Sequence, residues 1–139
     1  MSLKICFIGA GNLATNLAIE LFEKGFDIIQ IFSRTEKSAK ELATKVNSQF
    51  ITDLTNISQK ADVYFISVKD DVIAEVVEKI KFRNKFFVHT AGSIPMHIFE
   101  TKTENYGVFY PFQTFSKTKS VSFSKIPICI EANSEKNLE

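Results

Sequence analysis

Tryptophan is absent from this 139-residue sequence, cysteine and histidine occur twice each, proline three times and glycine five times. Each scarcity excludes something. Two cysteines, Cys6 and Cys129, both inside apolar strand-like runs, cannot build a disulfide scaffold, so a core of ordinary hydrophobic burial is expected, with both thiols buried and reduced. Cysteine and histidine nowhere cluster at metal-ligand spacing, and no Ser/His/Asp arrangement is evident, so neither a metal centre nor a hydrolase is expected. Seventeen basic side chains against 16 acidic ones leave a net charge of +1, which gives no case for nucleic acid or an anionic membrane surface as partner. Long hydrophobic runs are missing too. Nothing approaches the ~20 apolar residues of a bilayer span, and the chain enters an apolar strand almost at once, so neither a leader nor a membrane anchor is expected and the location expected is cytoplasmic. Hydrophobic residues at 45% and charged ones at 24% then suit one globular domain over residues 1–139. The 14 phenylalanines fall mostly in strand-like segments and are expected in the core.

Because glycine is rare, its placement is informative. Ile5-Cys6-Phe7-Ile8 runs into Gly9-Ala10-Gly11-Asn12-Leu13-Ala14, an apolar strand, a G-x-G-x-x-A turn and a helix start in direct succession. That order is the dinucleotide-binding fingerprint. Gly9 permits the tight turn, Gly11 lets the backbone approach a pyrophosphate, and Ala14 lets the helix pack on the strand. The amides of the helix start and its dipole favour the anion. About twenty residues on, where NAD enzymes place an acid for the ribose 2′-hydroxyl, the sequence has Ser33-Arg34-Thr35. A guanidinium flanked by hydroxyls suits a 2′-phosphate, which predicts NADP; a pocket that takes NAD is the weaker alternative.

The remaining chain alternates strand and helix patterns, predicting an α/β fold: a Rossmann doubly wound, mostly parallel sheet with helices on both faces. Strands are expected over 3–8, 27–32, 49–51, 62–68, 85–88, 106–110 and 126–130. The first helix carries Leu13, Leu17 and Leu21 with Ala14 and Ala18, and Gly25 as its C-cap. Thr35 is expected to cap a second helix that buries Ala39, Leu42, Ala43 and Val46. Residues 53–60 read as a connecting turn or short helix. Asp70 or Asp71 is expected to cap a helix with Val72, Val76 and Ile80 on one stripe and Ile73 and Val77 beside it. Ser93 and Pro95 open another short helix. Residues 133–139 look like a helix start, and a longer chain is expected beyond them because a lone turn is unstable.

In open α/β sheets, ligands bind outside the carboxyl ends of the strands. The segments 9–13, 33–35, 67–71, 89–93 and 110–113 all follow strand ends and are expected to line one crevice. Gly9, Ala10, Gly11, Asn12 and Leu13 should take the pyrophosphate, and Ser33, Arg34 and Thr35 the ribose phosphate. Val68 offers the nicotinamide side an apolar contact. Lys69 either pairs with a phosphate or is a solvated loop lysine. His89 either acts as a proton donor, the one weak catalytic candidate, or is a satisfied structural histidine. Tyr110 and Gln113 could reach the substrate side, and His97 reads as packing or surface.

With these motifs in place, the sequence resembles the N-terminal domain of pyrroline-5-carboxylate reductase and of the deazaflavin-dependent NADP oxidoreductases. It is most similar to Rossmann-like reductases grouped with them by analogy. The carriers are residues 8–14, 33–35, His89-Thr90-Ala91-Gly92-Ser93, Ser67-Val68-Lys69-Asp70-Asp71 and Tyr110-Pro111-Phe112-Gln113-Thr114-Phe115. The resemblance implies NADP binding by Gly9, Gly11, Asn12, Leu13, Ser33, Arg34, Val68 and Lys69. It also implies a helical C-terminal domain that forms a homodimer and builds a small-molecule substrate pocket. Tyr110 stands where the last group usually has His, which removes that residue type from any proton transfer there. The expected function is hydride transfer between nicotinamide and a small carbonyl or imine; the alternative is a module that senses NADP(H) without chemistry.

Overall fold

A computed structural model describes residues 3–82, 85–91, 94–99, 102, 103, 105–111 and 128–132. The expectations for Ser93 itself, Gln113 and residues 133–139 lie outside them; the short helix expected with Pro95 is a 3₁₀ turn, Met96–Phe99. The strands are β1 (Lys4–Ile8), β2 (Asp27–Phe32), β3 (Gln49–Ile51), β4 (Val63–Ile66), β5 (Phe86–His89), β6 (Asn105–Pro111) and β7 (Ile128–Ala132). The helices are α1 (Asn12–Glu23), α2 (Glu36–Lys45) and α3 (Ile73–Lys79). They form one sheet in the order β3-β2-β1-β4-β5-β6-β7. β1 to β6 run parallel, while β7 pairs with β6 antiparallel. This is the doubly wound Rossmann arrangement, and the order reverses between β1 and β4.

Alternation along the strands divides the core into two layers. Ile5 and Phe7 point to the layer built with Leu17 of α1 and Leu42 of α2, while Cys6 and Ile8 point to the one built with Ile73 and Val77 of α3. On β2 the alternation slips. Ile5 pairs with Ile28 but Cys6 with Gln30, so Ile29 is an extra residue, and Ile28 and Ile31 both face the α1–α2 layer. The bulge sets Gln30 inside, where its side chain accepts from Ser58 N–H at 2.8 Å and donates to the carbonyl of Asn56 at 3.5 Å.

The helix ends show which residue types decide them. Gly25, at φ +95°, lets Phe26 N–H reach the carbonyl of Leu21 and its own N–H reach that of Phe22, a Schellman close of α1. Asn47, at φ +52°, lets Ser48 N–H bond the carbonyl of Ala43 at the end of α2 in the same way. The expected buried face of α2 (Ala39, Leu42, Ala43 and Val46) is entirely buried. Thr35 does take the N-cap position of α2, but its side chain makes no capping bond. Asp70 and Asp71 do not cap α3: they lie inside a 3₁₀ turn, Asp70–Val72, and Val72 holds the N-cap position. Another 3₁₀ turn, Leu54–Asn56, follows β3 and is capped by Asp53, which accepts from Thr55 N–H at 3.0 Å. That bond and one from the Thr55 hydroxyl hold the Asp53 carboxyl below its ordinary range.

Candidate functional site

The carboxyl ends of the parallel strands are stitched laterally. Gly9 N–H donates to the carbonyl of Phe32 at 2.8 Å, Ser67 N–H to that of Ile8 at 2.8 Å, and Thr90 N–H to that of Ile66 at 3.3 Å. These bonds fix the loops after β1, β2, β4 and β5 around one cavity of about 510 Å³, within the range of small-molecule sites. All ten residues expected to hold a dinucleotide line it: Gly9, Ala10, Gly11, Asn12, Leu13, Ser33, Arg34, Thr35, Val68 and Lys69.

The two glycines of the turn do different work. Gly9 sits at φ +119°, and a Cβ there would come within 2.0 Å of the carbonyl oxygen of Ser67. The turn itself therefore needs glycine. A Cβ on Gly11 would meet nothing within 4 Å. Gly11 is the N-cap of α1, supplies no side-chain capping bond, and precedes a first turn without acidic residues. The first amides of α1 thus border a cavity in which no described side chain satisfies them, with space left above Gly11 for an anion to approach. The residues present fit the pyrophosphate of a dinucleotide.

Around this cradle stand further residues, of which Thr90 belongs to the segment 89–93 expected at the crevice and the others were not expected there. Phe32, Leu54, Val72 and Val76 give apolar wall, Glu75 and Lys79 line the cavity from α3, and Thr90 lines it from the end of β5. Val72 and Val76 had been legible only as core. Glu75 and Lys79 carried one signal, an i,i+4 acid–base pair, and the ammonium lies 2.8 Å from the carboxylate. The bond from Lys79, its charge and that of Arg34 hold the Glu75 carboxyl below its usual range. Leu54 carries no local signal, because a 3₁₀ turn brings it in. The Thr90 hydroxyl donates to that of Ser67 at 2.9 Å, and both line the cavity.

His89 is elsewhere. It is fully buried against Phe99, and it is not among the described residues that line the cavity. Ala91 N–H donates to its Nδ1 at 3.1 Å, so the neutral ring carries its proton on Nε2, 3.4 Å from the carbonyl of Pro95. Of the two roles open to His89, this geometry supports the structural one. Tyr110, on β6, also lies outside the lining. Among the described residues no group of three or more His, Cys, Asp or Glu could hold a metal, and no helix is long and apolar enough to cross a membrane.

Residues 4–92, more than half of the chain, match the family described as NADP oxidoreductase, coenzyme F420-dependent. The chain belongs to that family. The chain is also 31% identical over 96 residues to a pyrroline-5-carboxylate reductase of Vibrio alginolyticus, covering 66% of itself and 35% of the relative. It is 28% identical over 114 residues to a glutamyl-tRNA reductase of Picosynechococcus, covering 76% of itself and 26% of that protein. A solved structure from Bacteroides fragilis, named as an NADP oxidoreductase, matches it with 48% identity and a TM-score of 0.90, over 99% of this chain and 54% of the other. The chain thus spans about a quarter to a half of the length of these relatives. The fingerprint, the sheet order and the family agree on a site for a nicotinamide dinucleotide.

Proposed function

We propose that this chain is the NADP(H)-binding part of an oxidoreductase that moves hydride between nicotinamide and a small carbonyl or imine compound. The observation that carries the reading is that Ser33 and Arg34, at the end of β2, line the same cavity as the open space over Gly11. Gly11 and the first amides of α1 would take the pyrophosphate, and Arg34 with the Ser33 and Thr35 hydroxyls the ribose 2′-phosphate. Val68 and the Ser67–Thr90 hydroxyl pair, at the ends of β4 and β5, would hold the nicotinamide half. When bound, the cofactor supplies hydride transfer at its nicotinamide ring; the chain supplies binding and orientation. In the whole protein, a homodimer with a helical portion that builds the substrate pocket belongs to the same proposal.

The test is calorimetric titration of the chain and of Arg34→Ala with NADPH and NADH. A charge-assisted contact to the 2′-phosphate is worth about 1.5–3 kcal/mol. Arg34→Ala should therefore weaken NADPH by roughly ten- to 150-fold and leave NADH almost unchanged. Equal losses for both cofactors would refute the assignment. A second reading, a sensor that binds NADP(H) without chemistry, draws on one observation: no histidine is among the described residues that line the cavity. Stereospecific hydride exchange by the whole protein separates the two, since a sensor shows none.

A further inference from the structure

We propose that Glu75 is a built-in competitor for the 2′-phosphate: its carboxylate neutralises Arg34 and Lys79 in the free site, and so sets how strongly the site prefers NADP to NAD. The inference rests on the NADP reading above. Its ground is a juxtaposition across the sheet. Arg34 follows β2, whereas Glu75 and Lys79 are one turn apart on α3, and all three line one cavity. The Lys79 ammonium lies 2.8 Å from the Glu75 carboxylate, and the Arg34 charge is felt at that same carboxylate. One carboxylate is thus paired with one cation and shares its cavity with a second.

A 2′-phosphate brings a charge of about −1.5 to −2 at neutral pH. That matches the two cations by themselves, so with NADP bound the carboxylate becomes surplus negative charge. A ribose 2′-hydroxyl brings none and leaves the Glu75 pairing intact. The two cofactors therefore differ in what Glu75 costs them. Both side chains of the pair are more than half exposed, at 59% and 60%, so screening keeps the effect small and dependent on salt.

The experiment is calorimetry of the chain, Glu75→Gln, Lys79→Gln and Arg34→Ala with NADP+ and NAD+, at low and at high salt. Glu75→Gln should tighten NADP+ by roughly two- to fivefold at low salt and less at high salt, leaving NAD+ within the scatter of the method. Lys79→Gln should weaken NADP+ selectively by a similar factor. If Glu75→Gln shifts both cofactors equally, or weakens them, the carboxylate contacts a part of the ligand common to both and the inference is overturned. If the unmutated chain prefers NADP+ through Arg34 while Glu75→Gln changes nothing, the inference alone fails. If the chain shows no preference for NADP+ and Arg34→Ala is silent, the NADP reading fails and takes the inference with it.

Discussion

Gly9 and Gly11 are two residues apart in one turn, yet alanine should affect them in opposite ways. At Gly9 the new Cβ would lie 2.0 Å from a backbone oxygen, on a residue at φ +119°. The conformational strain costs about 1–3 kcal/mol, and the overpacking about as much again. The sum, about 2–6 kcal/mol, is a large part of the stability of an ordinary domain, about 5–15 kcal/mol. At roughly 3–4 °C per kcal/mol, Gly9→Ala should melt of the order of 10–20 °C lower. At Gly11, φ is −77° and nothing lies within 4 Å. Alanine there loses a few tenths of a kcal/mol as an N-cap and regains about as much by restricting the unfolded chain, so Tm should stay within about 2 °C. Its methyl would instead occupy the space over the first amides of α1, and NADP+ affinity should fall at least tenfold, about 1.4 kcal/mol. Thermal melts by circular dichroism and titration calorimetry read the two effects separately. Unimpaired binding by Gly11→Ala would show that the anion does not dock on this turn. An equally deep fall in Tm for both variants would show that the space over Gly11 is not open.

Three further outcomes are expected. Burial pushes the Cys6 thiol up to about 12, so alkylation followed by mass spectrometry of its peptide should label Cys6 only under denaturing conditions; rapid labelling of the native chain would contradict the packing. The Tyr64 phenol is likewise pushed up to about 12 by burial, and both groups ionise at their ordinary values, 9 and 10, once unfolded. Their raised folded pKa values therefore contribute stability in full below about pH 9 that is lost as pH rises towards about 12, and urea midpoints should fall over that window, less steeply in Cys6→Ala. Asn47→Gly should be nearly neutral, whereas Asn47→Val should cost about 1–2 kcal/mol in urea unfolding, since only short polar residues and glycine tolerate φ +52°.

Elements whose burial repeats at a fixed period were readable in advance. The α2 face of Ala39, Leu42, Ala43 and Val46 and the apolar β1 are of this kind, because a helix or strand writes its period into the chain. Strand direction leaves no such mark, so nothing local distinguishes the antiparallel β7 from its parallel neighbours. The extra residue at Ile29 was hidden for a related reason: from Ile28 to Phe32 every residue is apolar except Gln30. Capping was legible as position and illegible as chemistry. Thr35 stands at the right place and lines the cavity, but its side chain makes no capping bond, and the Asp70-Asp71 pair lost its role when a 3₁₀ turn intervened. In the site, the strand-end loops were visible because glycine and charge punctuate them. The α3 wall was not, because Val72 and Val76 serve the core and the cavity at once.

The cavity is also a measure of how far folding has gone. Its lining runs from Gly9 to Thr90 and is contributed by strands that meet only when the parallel sheet has formed. Closing β1 onto β4 brings together residues far apart along the chain: Lys4 N–H donates to the Asp62 carboxylate, 58 positions away. Such non-local pairing is slow to form, and no contiguous stretch of chain holds the site by itself. A chain still emerging from the ribosome lacks the complete cavity until β5, which carries Thr90 to its lining, has been made and docked. A ligand that meets only the finished sheet acts late. At a hundredfold excess over Kd it adds about 2.7 kcal/mol, and that gain appears as slower unfolding, with the speed of folding untouched.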